Sequence, residues 1–173
     1  GPSGHGKSTL LASVPGFVRP DEGTIRIDGR TLDASTVQQV RRRIAWLPQE
    51  FTLPYDTVKE LIEAPFRLRI NQVQMPSRET VLHHFELLGL EPELYDKRSI
   101  EISGGQRQRI MILITALLHK EIVLLDEPTS ALDPDSIARV VDYIHGWHEA
   151  TVLMVSHDDR FINAFDRKIY IGD

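Results

Sequence analysis

The chain contains no cysteine. Disulfide frameworks, zinc–thiolate centres and cysteine nucleophiles are therefore excluded. Positive charge is not in excess either. Lys and Arg number 20 against 25 Asp and Glu, which gives a net charge of −5 and a pI near 5.8. General nucleic-acid binders carry a basic domain, so no nucleic-acid partner is expected. Long hydrophobic runs are also missing. The longest, Ile110 to Leu118, has nine residues and is interrupted by Thr115, whereas a membrane span needs about 20. No secretory leader is visible, and the cytoplasm is the expected compartment. What remains is an ordinary composition, 41% hydrophobic and 26% charged over 173 residues. It fits one globular domain with room for an inserted subdomain, large enough to bury roughly 70% of its unfolded surface.

Apolar periodicity divides the chain into elements. Ser8 to Val14 reads as a helix ended by Pro15-Gly16. Thr24 to Ile27 alternates and stops at Asp28-Gly29, as a short strand and turn do. Ser35 and Gln38 have capping-box spacing and predict a helix start. Ile44 to Leu47 is a strand closed by Pro48. Four of the ten prolines fall between 48 and 76, so no long strand fits there. Val81, Phe85 and Leu88 recur at helical spacing and predict an amphipathic helix over 78–88. Residues 51–101 thus read as a small, mostly helical subdomain. Beyond them, strand and helix alternate. Gly105 to Leu118 is a strongly apolar helix, and Ile122 to Leu125 a buried strand. Ile137, Val140, Val141 and Ile144 form a helix stripe. Thr151 to Val155 is another buried strand, and Lys168 to Ile171 a last one. Alternation of this kind implies an α/β fold with parallel strands and a ligand at their carboxyl ends.

Three segments carry chemistry. Gly1-Pro2-Ser3-Gly4-His5-Gly6-Lys7-Ser8 matches the phosphate-loop pattern at every fixed position, and Thr9 follows it. Its glycines let backbone N–H groups curl inward onto phosphate oxygens. Lys7 supplies a point charge for the β- and γ-phosphates, Ser8 a hydroxyl for Mg²⁺, and the following helix a positive dipole end. The second segment is Ile122 to Leu125 followed by Asp126-Glu127. A buried strand there presents two carboxylates, Asp126 to hold Mg²⁺ and Glu127 to orient and deprotonate water. The third is Ser103-Gly104-Gly105-Gln106. It has capping-box spacing, yet two glycines in a first turn weaken a helix, which makes sense if the backbone must approach something closely. Exposed amides, a hydroxyl and a dipole there form a second anion site. Two phosphate-facing elements in one chain suggest two chains sharing nucleotides.

With these segments in place, the chain resembles the nucleotide-binding domain of the ABC ATPase family, a phosphate-loop NTPase fold. Ile102-Ser103-Gly104-Gly105-Gln106 resembles the family signature, Gln49 the Q-loop, Asp126-Glu127-Pro128-Thr129-Ser130 the extended Walker B strand, Ser130-Ala131-Leu132-Asp133 the D-loop, and His157 the switch histidine. The resemblance spans essentially the whole chain. It implies an ATP-hydrolysing subunit that pairs head to tail, with each ATP between the phosphate loop of one chain and the signature of the other. It further implies that Gln49 contacts Mg²⁺, His157 the γ-phosphate, and Asp133 the partner chain. It also implies strands upstream of the phosphate loop and an adenine-stacking aromatic, so the natural protein is expected to be longer and this stretch alone to be poorly stable.

The most suitable role is the ATP-binding subunit of a bacterial transporter, held on the inner membrane face by a separate permease. The short helical region resembles small export-type subunits, including those assigned to iron export. The permease would meet residues 49–69, where Phe51, Leu53, Tyr55, Leu61 and Phe66 are candidates for an apolar groove. The alternative is a non-transport ABC ATPase acting as a nucleotide-dependent regulatory module.

Other residues invite plainer readings. Asp133 before Pro134 also fits a helix N-cap. His145 with His148, and His83 with His84, read as solvated. Arg41-Arg42-Arg43 reads as a solvated helix end. Arg107 and Arg109 flank the signature and are candidates for closing the dimer.

Overall fold

A computed structural model describes residues 6–50, 54–69, 71 and 75–171. Gly1 to His5, together with Phe51 and Leu53, lie outside the described residues. Helix α1 (Lys7–Ser13) opens the described chain. A hairpin follows, β1 (Arg26–Ile27) with β2 (Arg30–Thr31). Asp28 and Gly29 both have positive φ, as a two-residue hairpin turn demands. Helix α2 (Val37–Arg42) leads into β3 (Ile44–Leu47). Among the described residues, helix α3 (Val58–Glu63), 3₁₀ turns at Ala64–Arg67 and Pro92–Asp96, and α4 (Arg78–Leu87) then form a helical stretch without strands. Helix α5 (Gly104–Leu117), β4 (Ile122–Asp126), α6 (Pro134–His145), β5 (Thr151–Val155) and α7 (Asp159–Asn163) complete the chain.

Strands β3, β4 and β5 pair in parallel in that order, as the strand–helix alternation predicts. The pleat divides their side chains between two faces. Ala45, Leu47, Val123 and Leu125 join a large core with α3 to α6. Ile44, Trp46, Ile122 and Leu124 pack with Leu11 of α1 on the other side. Both faces are covered, which is the usual condition of a parallel sheet. Helix α5 is apolar nearly all round. Gln108, Ile110, Ile112, Leu113, Ile114, Thr115 and Leu117 are buried, so it runs through the middle of the fold.

Some expectations are corrected. The helix at 36–42 is not started by Ser35. Its N-cap is Thr36, and Asp33 takes over the turn by accepting from the amides of Ser35 and Thr36 at 2.8 and 3.1 Å. An aspartate two residues upstream offers a stronger acceptor than the serine hydroxyl. Residues 168–171 form no strand. Ile169 and Tyr170 are 71% and 76% exposed, and no described neighbour supplies a ladder. Strand β5 is only half buried: Thr151 and Leu153 are in register with Ile122 and Leu124 on the α1 face, where they remain exposed. His148 lies beyond the end of α6 and does not share a helix face with His145. The ring of His145 meets the Ala164 carbonyl and Phe165 instead. His84 is half-buried, with Nδ1 2.6 Å from the Tyr143 hydroxyl. Burial is the main cause holding its pKa below the ordinary value, with His83 and His119 adding to it.

The arginine run is not simply solvated. Arg41 donates to the carbonyls of Pro15 and Gly16 and lies over Phe17, while Arg43 bridges Asp28 and Glu121. Leu61 and Phe66 belong to the core at 5% and 0% exposure. They lie on the inner side of the segment, with Val58 and Ile62, so they cannot line an outer groove.

Candidate active site

The carboxyl ends of β3, β4 and β5 meet the start of α1. Gly6 is the N-cap of α1 and adopts a left-handed φ of 78°, a conformation that costs glycine little. Its turn sets the Lys7, Ser8 and Thr9 amides at the head of the helix, where no intrahelical acceptor exists. Ser8 Oγ donates to Asp126 Oδ1 at 3.0 Å, across 118 residues of chain. Asp126 is 3% exposed. Burial is the largest influence on its carboxyl and holds its pKa above the ordinary value. The Ser8 hydrogen bond and Lys7 oppose this, and Glu127 adds to it. A buried acid beside a hydroxyl is poised to gain from a cation.

Glu127 is also buried, and its backbone has φ 50°. A non-glycine residue in that region is strained. Its N–H still bonds the Val155 carbonyl at 2.9 Å, extending the sheet, while the turn redirects its carboxylate. Glu127 Oε1 lies 2.7 Å from His157 Nδ1, and the His157 amide reaches Oε2 at 3.4 Å. The His157 side chain is 62% exposed. The pair therefore has a buried acid and a ring open to solvent. Both line a depression of about 420 Å³ with Thr129, Ser130 and Asp158. Gln49 is exposed two residues past β3, on the same edge. A larger hollow of about 930 Å³ lies between the hairpin and α2. None of the sequence-predicted site residues lines it, so chemistry rather than size identifies the site.

Among the described residues, no group of three or more His, Asp or Glu is arranged to hold a metal. Ser8 and Asp126 nevertheless offer two neighbouring hard oxygens, which suits Mg²⁺. That ion keeps several waters and draws other ligands from substrate phosphates.

A second cluster lies at the heads of α5 and α6. Ser103 caps α5: its Oγ accepts from the Gln106 amide at 3.2 Å, and Gln106 Oε1 accepts from the Ser103 amide at 2.9 Å. The box leaves the Ser103 O–H able to donate outward. Ser103 and Gly104 are exposed. Asp133 caps α6, accepting from the Ser136 amide and hydroxyl at 2.9 and 2.7 Å, so the N-cap reading of this residue holds. The two halves of this cluster touch. A Cβ at Gly105 would lie 3.1 Å from the Ala131 carbonyl oxygen and 3.6 Å from Leu132 Cδ2. The close approach foreseen for the glycine pair is thus, at Gly105, an approach to the chain's own loop.

The ABC transporter family pattern matches residues 1–130. This chain belongs to the ABC transporter family. The cassette is 33% identical to the glutamine transport ATP-binding protein GlnQ of Bacillus subtilis, over 100% of the chain and 74% of that relative. It is 34% identical to the probable iron export ATP-binding protein FetA of Escherichia coli, over 98% of the chain and 75% of that relative. Its fold matches the dimeric structure of MJ0796, a bacterial ABC transporter cassette, with a TM-score of 0.79 and 27% identity, covering 98% of the chain and 78% of that structure. A dimeric post-hydrolysis state of the same cassette, bound to ADP and phosphate, matches at 0.73 with 30% identity over 94% and 73% of the two chains. The cassette is accordingly an ATP-binding, ATP-hydrolysing subunit of a transporter, and its fold is that of a phosphate-loop ABC ATPase.

Arg109 was missed as an internal tie. The sequence suggested that it closes a dimer, but its guanidinium is committed within its own chain, to the carbonyls of Gly105, Leu88 and Gly89. No local pattern announces that, because Leu88 and Gly89 lie 21 and 20 residues upstream. The contact between Gly105 and Ala131 was equally invisible, although a glycine with no turn to make is itself a signal of close approach.

Proposed function

We propose that the cassette binds Mg²⁺-ATP between Gly6 to Thr9 and the ends of β3 and β4, with Lys7 on the phosphates. Ser8, Gln49 and Asp126 would hold the metal. Glu127 would act as the base toward water, and His157 would fix its orientation near the γ-phosphate. The observation that carries this reading is the convergence of Ser8 on Asp126 at 3.0 Å, beside the Glu127–His157 pair at 2.7 Å. Gly1 to His5 complete the phosphate loop in sequence. Ser103, Gly104, Gly105, Gln106 and Asp133 would serve a second copy in a head-to-tail homodimer. Support comes from the exposure of Ser103, Gly104 and Asp133 and from the dimeric state of the similar cassettes.

The helical stretch 51–101 would act as a subdomain, and the 49–69 region would meet a membrane permease and hold the cassette at the inner membrane face. Among the described residues there, the exposed large hydrophobic side chains are Tyr55 and Leu68, at 37% and 59%. No described helix is long and apolar enough to cross a membrane.

The test is the ATP affinity of the full-length protein with Lys7→Ala. Loss of one charged phosphate contact should weaken binding by about a hundredfold or more. Unchanged affinity would remove the phosphate-loop assignment.

A further inference from the structure

We infer that Arg109 is a positioning residue for the signature turn, holding the start of α5 in a fixed place against the end of α4. The inference rests on the reading of Ser103 to Gln106 as the half-site offered to a second copy. The signature turn has little to hold it. Its capping box is local, and Ser103 and Gly104 are exposed. Arg109 lies one helical turn further on. Its Nη1 donates to the carbonyls of Leu88 and Gly89 at 2.9 and 3.0 Å, and its Nε to the Gly105 carbonyl at 3.3 Å. Leu88 is the C-cap of α4 and Gly89 follows it. Carbonyls at a helix end lack intrahelical partners and carry the negative end of the dipole. A planar guanidinium spreads five donors in a fixed fork, so Nη1 and Nε reach carbonyls of two segments at once, whereas an ammonium is a compact point donor.

The rest of the neighbourhood closes around this tie. Gly89 has φ +62°, and a Cβ there would lie 2.9 Å from Arg139 of α6. On the opposite side, Gly105 rests against the Ala131 carbonyl. The first turn of α5 is therefore gripped between the α4 corner and the loop leading to α6, with Arg109 as the charged link. Burial is the main influence on its guanidinium and holds its pKa below the ordinary value; Asp133 opposes this and Arg139 adds to it. A fixed turn keeps the Gly104 and Gly105 amides aimed before a phosphate arrives, which is how preorganised donors act on a transition state.

The test uses full-length protein. Arg109→Gln should lower kcat about tenfold or more, the scale of losing charge-assisted hydrogen bonds. It should leave ATP binding to the isolated monomer unchanged; weakened binding there would overturn the proposal. The decisive step is a mixture of the Arg109→Gln chain with a Lys7→Ala chain. In a head-to-tail pair, the good phosphate loop of the first faces the good signature of the second. One composite site is whole, and one ATP per mixed pair should turn over at the wild-type single-turnover rate. A merely structural defect would travel with the Arg109→Gln chain, and the absence of that turnover would overturn the proposal. Ser103→Arg mixed with Lys7→Ala is the control. If the control pair turns over and the Arg109 pair does not, the role of Arg109 is wrong. If neither does, the composite site itself is wrong. Arg109→Lys keeps the charge with a poorer fit. It should fall between wild type and Arg109→Gln, and it carries the same mixing test if the glutamine chain does not fold.

Discussion

The two clusters of this cassette are built in opposite ways. At the strand ends, two buried carboxylates are each already engaged by a more exposed neighbour. Ser8 holds Asp126, and His157 holds Glu127. At the head of α5, Ser103 and Gly104 are exposed, and the Ser103 and Gln106 side chains bond only within their own turn. The first arrangement suits reaction within one chain, because buried groups keep their geometry without a ligand. The second suits presentation to something outside, because exposed amides and a hydroxyl await an acceptor. The difference teaches why such a cassette would need a second copy. On the proposed reading, one half of the nucleotide site is assembled within the chain and the other is offered to a partner.

The comparison can be broken most strongly at the assembled end. Glu127→Gln keeps the shape but removes the base. Turnover should fall by about 10²–10⁴, equivalent to ~3–5 kcal/mol of barrier, with ATP binding retained. Steady-state hydrolysis at the wild-type rate would take Glu127 out of that role.

Asp126→Asn sharpens the comparison, because it asks what the assembled end costs. Burial raises the pKa of this acid above its unfolded value near 3.8. The folded state therefore binds its proton more readily than the unfolded state does. The ionised form weakens the fold, and the cost grows as pH rises through the raised folded pKa. Without Mg²⁺-nucleotide, the asparagine chain should melt higher at neutral pH, by about 2–4 °C for each kcal/mol relieved. That advantage should vanish as pH falls toward 4. Mg²⁺-dependent hydrolysis should be lost at the same time. An unchanged melting temperature at pH 7 would mean that the carboxylate is not costly.

The smallest effect probes the presented end. Gly104→Ala meets only Ala131 Cβ at 3.9 Å, whereas Gly105→Ala meets the Ala131 carbonyl at 3.1 Å. Alanine favours the helix at both positions by roughly 0.5–1 kcal/mol, but crowding at 105 should cost about 1–3 kcal/mol. Thermal melts should rank Gly104→Ala above wild type and Gly105→Ala below it. Equal melts for the two variants would show that the D-loop does not press on the signature turn.

How far the sequence could be read follows from the range of the interactions. The assembled end was readable because each residue sits directly after a strand or before a helix that its own apolar pattern defines. Leu124 and Leu125 predict β4, and Asp126 and Glu127 then fall at its end. The capping roles of Ser103 and Asp133 were readable for the same local reason. Contacts between distant segments were not. Nothing near His84 announces Tyr143, and nothing near Arg109 announces Leu88. Leu61 and Phe66 looked like an outer groove because hydrophobicity alone does not say which side is inward, yet Val58, Leu61 and Ile62 already show helical spacing toward one face. The strand expected at 168–171 failed because alternation needs a neighbouring ladder. At Glu127, the positive φ that redirects the carboxylate leaves no trace in residue type.

The most direct test of the two-ended account is the mass of the full-length Glu127→Gln protein in solution, followed by light scattering with and without Mg²⁺-ATP. The account predicts a monomer without nucleotide and a dimer with it, because ATP joins the assembled end of one chain to the presented end of another. A monomer in both conditions, with ATP demonstrably bound, would contradict it.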